Sequence, residues 1–522
     1  MVRSKAILIL LFGCTVAFGQ TEVRVDAASK IGPYKPIYAY FGYDEPNYTY
    51  TPNGTKLIGE LAALSPVPVQ IRAHHLLVTG DGTAALKWGS TNAYTEDANG
   101  KPVYDWTIVD RIFDTYEKVH AKPFVEVGFM PKALSTHPDP YVVNWPKNDG
   151  KGWSYPPNDY DKWAELIRQW VRHSIARYGK AEVETWSWEL WNEPDISYWR
   201  GTPEEYNKLY DYTADAIKSV LPTAHVGGPG TTGPASPRAA AFLKQFLQHC
   251  ADANKPLDFI SYHAKGSPRV IEGHVRMNFK KQMSDVERGM QVINEFPKFR
   301  NLPIVLSESD PEGCAACSAR EHPENLYRNG TMYSSYTAAS LGTIFQLADK
   351  NQSNIQGMLT WAFEFENQPY FDGFRTLSSN GVDKPVLNVF RMAGLMSGDR
   401  VNVEGNVLAT HGDRSIAAMV WNYDDDDLPG PSAPIHLAFS GVPAGKVLVE
   451  HYRIDDEHSN GYTAWKRMGS PAQPTPEQQA KLESEAQLKL LTSPEWRGVE
   501  SGKLEMNFDL PRHGVSLVKL TW

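Results

Sequence analysis

The chain has 522 residues, of which 41% are hydrophobic and 22% charged. That composition excludes a disordered or fibrous protein, and the length suits one large domain with a smaller companion. A net charge of −9 gives no general attraction to nucleic acid or anionic membrane, so neither is an expected partner.

Residues 1–19 read as a signal peptide. Arg3 and Lys5 form a charged start, residues 6–12 a short apolar core, and Ala17-Phe18-Gly19 a small-x-small cleavage pattern. The apolar run is too short to span a bilayer and no comparable run follows, so no transmembrane segment is expected. The protein is therefore expected to be secreted or periplasmic. A lipid anchor on Cys14 is the rival reading, disfavoured by Phe12 in the tight position before such a cysteine. Cys250, Cys314 and Cys317 remain, too few for a disulfide scaffold, although Cys314 and Cys317 are spaced for a small local disulfide. With no second CxxC and no HxxxH there is no zinc ligand set, and neither metal nor cofactor is expected. The sequence assigns no oligomeric state.

Alternation at 22–26 suggests that segment 20–34 adds a strand to a sandwich at the far end of the chain. Over residues 35–397, short apolar runs alternate with amphipathic stretches. The runs lie at 37–41, 69–73, 123–129, 185–191, 225–228, 257–262, 304–307 and 358–363. Between them, 106–120 places Ile108, Ile112, Tyr116 and Val119 on one helical face, and 163–178 does the same with Trp163, Leu166, Trp170 and Ile175. Eight strand–helix units predict an α/β fold of the (β/α)₈ TIM-barrel type, with the chemistry at the C-terminal strand ends. Residues 398–522 change texture to alternating segments at 415–421, 434–439, 446–454 and 515–522, predicting a β-sandwich with a helix within 473–491. The acidic run Asp424 to Asp427 reads as an exposed loop.

Two strand ends carry the chemistry. Trp191-Asn192-Glu193-Pro194 closes the fourth apolar run, and Pro194 stops the strand. Leu306-Ser307-Glu308 closes the seventh, across the barrel. A carboxyl at such a place is costly unless it is used or paired. Two facing glutamates suit a retaining glycosidase, in which one carboxyl is the acid and the other, about 5–5.5 Å away, the nucleophile. Asp310 is the alternative nucleophile, but lies past the strand end.

Several motifs occur in order: Ile71-Arg72-Ala73-His74, Gly128-Phe129-Met130-Pro131, Trp191-Asn192-Glu193-Pro194, Val226-Gly227-Gly228-Pro229, Ser261-Tyr262-His263 and Glu308. On these the chain resembles glycoside hydrolase family 39, the β-xylosidases and α-L-iduronidases. The resemblance implies a barrel with Glu193 as general acid/base and Glu308 as nucleophile. It implies Asn192 near the sugar 2-hydroxyl, His263 near the nucleophile, His74 on a sugar hydroxyl and Trp361 as an apolar wall. Plain structural readings compete: Trp361 as core, His74 and His263 as satisfied buried histidines. Glu126 is open between barrel interior and site.

The sugar is pulled two ways. Lys265 and Arg375, with Glu308-Ser309-Asp310-Pro311, resemble the iduronidase branch, which holds a carboxylate. The loop Trp361 to Glu366 resembles bacterial β-xylosidases, and Glu366 joins Lys265 and Arg375 as a candidate substrate contact. In the xylosidase reading, Glu364, Glu366 or Asp372 pairs with the two cations. The expected substrate is a carbohydrate: xylose from xylosides or xylo-oligosaccharides, with an iduronidase-like uronosidase as the alternative and a non-catalytic carbohydrate-binding protein as the alternative of another class. HExxH and Gly-x-Ser-x-Gly are absent, against a metallohydrolase or an α/β-hydrolase.

Overall fold

The computed structural model describes residues 20–141, 152–314, 316–361 and 363–522. The signal-peptide reading, with Cys14, lies outside the described residues. Among these, no helix is long and apolar enough to cross a membrane.

The apolar runs form a closed parallel barrel. Its strands are Tyr40–Tyr43, Gln70–Ala73, Lys122–Val127, Ser187–Leu190, His225–Thr231, Phe259–Lys265, Ile304–Asp310 and an eighth in two pieces, Ile355–Met358 and Thr360–Trp361. Each strand pairs with the next in chain order. The split strand closes the ring: Ile355–Met358 pairs with the seventh strand, and Thr360–Trp361 with the first, in the register Trp361↔Gly42. Strands covered on both faces read as continuous apolar runs, which is why they were legible.

Among the described residues, eight helices surround the barrel, one after each strand: Pro52–Ala63, Thr107–Glu117, Tyr160–Tyr178, Pro203–Val220, Pro237–Asp252, Phe279–Asn294, Thr331–Asn351 and Pro385–Gly394. Their starts carry local signals. Thr202 and Glu205 form a reciprocal capping box, and Asp159 accepts from the Asp161 and Lys162 amides. The expected barrel architecture is therefore present, and its C-terminal strand ends form one mouth.

Beyond the barrel, a ten-stranded mixed sheet holds its own core around Val25, Ile416, Leu437, Val447 and Leu520. Thr21–Pro33 lies inside that sheet, antiparallel to Asp399–Glu404 and parallel to Ala433–Ser440. The helix in this region spans Pro476–Ala486, started by a Thr475–Gln478 capping box. The sheet packs on the barrel where Trp421 covers Gly342; a Cβ there would stand 2.4 Å from the indole.

The acidic run is a loop, as expected, but Asp424 to Asp426 are half-buried, and Asp425 and Asp426 are engaged with the barrel. Asp425 accepts from the Asn278 and Phe279 amides, both at 2.9 Å, and so caps helix Phe279–Asn294. Asp426 binds Arg276 at 2.6 Å. Unpaired amides at a helix start attract carboxylates, and here the carboxylates come from the sheet domain.

Candidate active site

The fourth strand ends at Leu190, and the next residues turn into the mouth. Trp191 and Glu193 both take left-handed backbone, with φ of 69° and 43°. Such conformations cost about 1–3 kcal/mol each and persist only where surroundings enforce them. Here the Glu193 amide donates to Gly230 O at 2.9 Å, and the Trp191 indole donates to Tyr198 O at 2.9 Å. The seventh strand brings Glu308 to the same mouth.

Oxygens of Glu193 and Glu308 and a ring nitrogen of His263 lie within 4.8 Å of one another. His263 Nδ1 donates to Glu193 Oε1 at 2.9 Å, with Glu308 Oε1 at 3.8 Å, so its principal partner is Glu193. The Lys265 ammonium touches Glu308 Oε2 and lies 3.4 Å from Glu193 Oε1. Three such ligating groups resemble a cation site, but Lys265 already supplies the positive charge between them. Burial favours neutral carboxyls, yet Lys265 and the His263 bond outweigh it and hold Glu193 down at about 2. Glu308 is likewise held well below the usual range, against burial, by His263, Lys265 and His74.

A charged floor lies beneath the pair. Glu126 and Glu189 are register neighbours on adjacent strands, and both are fully buried. Arg72, also buried, donates to Glu189 at 2.6 Å, pairs with Glu126 at 2.9 Å and reaches Glu308 at 3.3 Å. It also donates to Asn192 Oδ1 at 3.2 Å, leaving the Asn192 amide nitrogen as the donor that residue can offer. Glu126, left open by the sequence, thus belongs to the floor. His74 stands between Asp44 (2.7 Å) and Glu126 (3.0 Å). Burial lowers its basicity, but those two carboxylates outweigh it and raise the ring well above its ordinary value. Trp361 tilts over His74 at 4.3 Å between ring centroids. The first strand approaches that indole so closely that only Gly42 fits; a Cβ would stand 2.5 Å from the ring.

These groups open on a cavity of about 500 Å³ lined by His74, Asn192, Glu193, Lys265, Glu308 and Trp361. His263 stands behind Glu193. The further lining residues that sequence reading missed include Asp44, Lys87, Tyr198 and Lys281. They sit on loops or a helix start, where no periodicity singles them out. Glu366 and Arg375 are not among the described residues that line the cavity. Glu366 accepts from the Asn53 amide at 2.5 Å, in the first turn of helix Pro52–Ala63. Arg375 pairs with Asp310 at 3.4 Å and donates to the carbonyls of Glu312 and Gly313. The expected pairing of Lys265 and Arg375 with Glu364, Glu366 or Asp372 is therefore replaced. Lys265 turns to the glutamate pair, Arg375 to Asp310, and Glu364 accepts from Ser378 and the Asn380 amide. Beside the cavity, Cys314 and Cys317 form a disulfide with Cα atoms 5.6 Å apart.

The chain is similar to known proteins over most of its length. The model for glycosyl hydrolases family 39 matches residues 70–499. A β-xylosidase of Geobacillus stearothermophilus is 28% identical over 469 residues, 87% of each chain. An α-L-iduronidase of Mus musculus is 27% identical over 516 residues, 87% of this chain and 74% of that enzyme. Among solved structures, the family 39 enzyme of Xanthomonas axonopodis pv. citri superposes with a TM-score of 0.80 at 25% identity, covering 98% of this chain and 99% of that one. A barrel with facing strand-end glutamates, matched over most of its length by that family model, makes this chain a glycoside hydrolase belonging to glycosyl hydrolases family 39.

Proposed function

We propose that the chain is a retaining, exo-acting β-xylosidase in which Glu193 is the general acid/base and Glu308 the nucleophile. The observation that carries this reading is the meeting of the two carboxylates within 4.8 Å. That separation supports double displacement, since retaining enzymes hold the pair about 5–5.5 Å apart and inverting ones leave room for a water. Glu308 ionised beneath the sugar attacks the anomeric carbon while Glu193 protonates the leaving oxygen. Water, deprotonated by Glu193, then releases the sugar. A compact cavity of about 500 Å³ supports exo action.

A neutral sugar is supported by the charge balance. Each cation lining the cavity among the described residues already has a carboxylate: Lys87 has Asp44, Lys265 the glutamate pair and Lys281 Asp285. The chain is similar both to β-xylosidases and to α-L-iduronidases, and Lys265 inside the cavity is what favours the uronide as second reading. Export belongs to the same proposal, supported by a disulfide that suits an oxidising compartment.

The test is a panel of aryl β-xyloside, α-L-arabinoside and α-L-iduronide. The β-xyloside is expected to be the best substrate. Strong iduronide turnover that collapses in Lys265→Ala overturns the choice of sugar.

A further inference from the structure

Asp44 and Lys87 form an ion pair lining the cavity that the double displacement leaves without a task. Asp44 follows the first barrel strand, and its side chain is 3% exposed. Lys87 comes from the loop after the second strand, held in left-handed backbone (φ 56°) with its amide donating to Glu45 Oε1 at 2.7 Å. Its ammonium contacts Asp44 Oδ2. The other oxygen of Asp44 takes His74 Nδ1 at 2.7 Å, and the far nitrogen of that imidazole reaches Glu308 Oε1 at 3.4 Å.

One imidazole therefore separates this pair from Glu308. A pyranose with its anomeric carbon at Glu308 and its flank along His74 spans a comparable distance to its hydroxyls at C3 and C4. An ion pair is matched to a hydroxyl in particular: the O–H donates to the carboxylate while its lone pairs accept from the ammonium. A carboxylate ligand only accepts, and would face Asp44 with like charge. Two residues expected from sequence to touch the sugar, Glu366 and Arg375, are engaged elsewhere.

We propose that the Asp44–Lys87 pair is the recognition element for a ring hydroxyl remote from the anomeric carbon, at C3 or C4 of the sugar in the catalytic pocket. This rests on reading the pocket as a site that cleaves a neutral glycoside, and it adds the contact that selects the configuration of that sugar.

An enzyme–substrate cycle tests it. kcat/KM is measured for wild type, Lys87→Met and Asp44→Asn on an aryl β-xyloside and on its 3-deoxy and 4-deoxy analogues. In wild type one deoxy analogue should lose about 10- to 100-fold, the worth of a hydrogen bond to charged groups. In Lys87→Met, the less buried of the two sites, that same penalty should fall to about threefold or less, because the hydroxyl has lost its partner. Asp44→Asn should reduce it as well, and provides the second variant if the first folds poorly. A general structural disturbance lowers all three substrates together and leaves the penalty intact. That result overturns the proposal, as does a wild type indifferent to both deletions. If wild type ignores the β-xyloside, the choice of sugar fails separately, and the cycle is run on whichever aryl glycoside it cleaves and the matching deoxy analogues.

Discussion

The Lys265 ammonium lies 3.4 Å from Oε1 of Glu193, the carboxyl proposed to deliver a proton. That ammonium, with His263, outweighs burial and holds Glu193 down at about 2. Exclusion of water by a bound sugar favours the neutral carboxyl and so raises Glu193 towards a proton-donating state. The cation therefore sets the resting charge of the site.

Removing that cation shifts the pH profile. His263 and then Lys265 hold Glu308 below the ordinary carboxylate range, against burial, so the nucleophile stays ionised at acid pH. In Lys265→Met the carboxyl loses part of this support, its pKa rises, and the acid limb of kcat/KM against pH moves to higher pH. An acid limb unchanged in the variant would show that Lys265 does not govern the nucleophile.

The two glutamates are separable by leaving group. Glu193→Gln should slow glycosides with poor leaving groups by about 10²–10⁴-fold, the usual worth of general acid catalysis, and activated aryl glycosides far less in the sugar-transfer step. Glu308→Ala should abolish both activities and recover some with azide, which enters the vacated space. Equal losses on good and poor leaving groups in Glu193→Gln would remove its assignment as the acid.

Arg72 underlies the site electrostatically. It is completely buried and shared by Glu126, Glu189 and Glu308. Arg72→Met leaves these carboxylates without their common counter-charge and should destabilise the fold by about 3–5 kcal/mol, read by chemical denaturation. Destabilisation below about 1 kcal/mol would mean that water or His74 replaces the guanidinium.

A second carboxyl pair joins the barrel to the sheet domain. Burial, and then Asp383, push Glu60 up to about 8. Asp383 in turn accepts from Arg391 at 2.7 Å and from Gln487 of the sheet domain at 3.1 Å. A carboxyl whose folded pKa exceeds its unfolded value stabilises fully below the unfolded value and loses that stabilisation as pH rises through the folded one. Melting temperature should therefore fall between about pH 5 and pH 8 partly through Glu60, and Glu60→Gln should flatten that fall. An identical slope in the variant would remove Glu60 from the account.

Much of the mouth was legible because barrels put polar residues at the ends of apolar runs. Asn192, Glu193, His263, Lys265, Glu308 and Trp361 stand at or just past such ends, and the structure brings them together. The floor left a signal that was underused: Arg72, Glu126 and Glu189 are charges inside otherwise apolar strands, where only mutual pairing makes burial tolerable. Asp44 and Lys87 left none, since a loop residue's direction depends on packing that sequence periodicity does not report. The same limit explains Glu366 and Arg375. After the split eighth strand the chain doubles back, with Phe363 bridged to Thr376. That turn delivers Glu366 to the open amides of helix Pro52–Ala63 and Arg375 to Asp310.

Double displacement places the sugar covalently on Glu308 between the two steps. A 2-deoxy-2-fluoro xyloside with a good leaving group slows both steps and lets the intermediate accumulate, so the digested protein can be mapped by mass spectrometry. One added fluoro-sugar is expected on the peptide containing Glu308, and none in Glu308→Ala. A label on Glu193 or Asp310, or inactivation by turnover without any label alongside an inverted first-formed sugar, would contradict it.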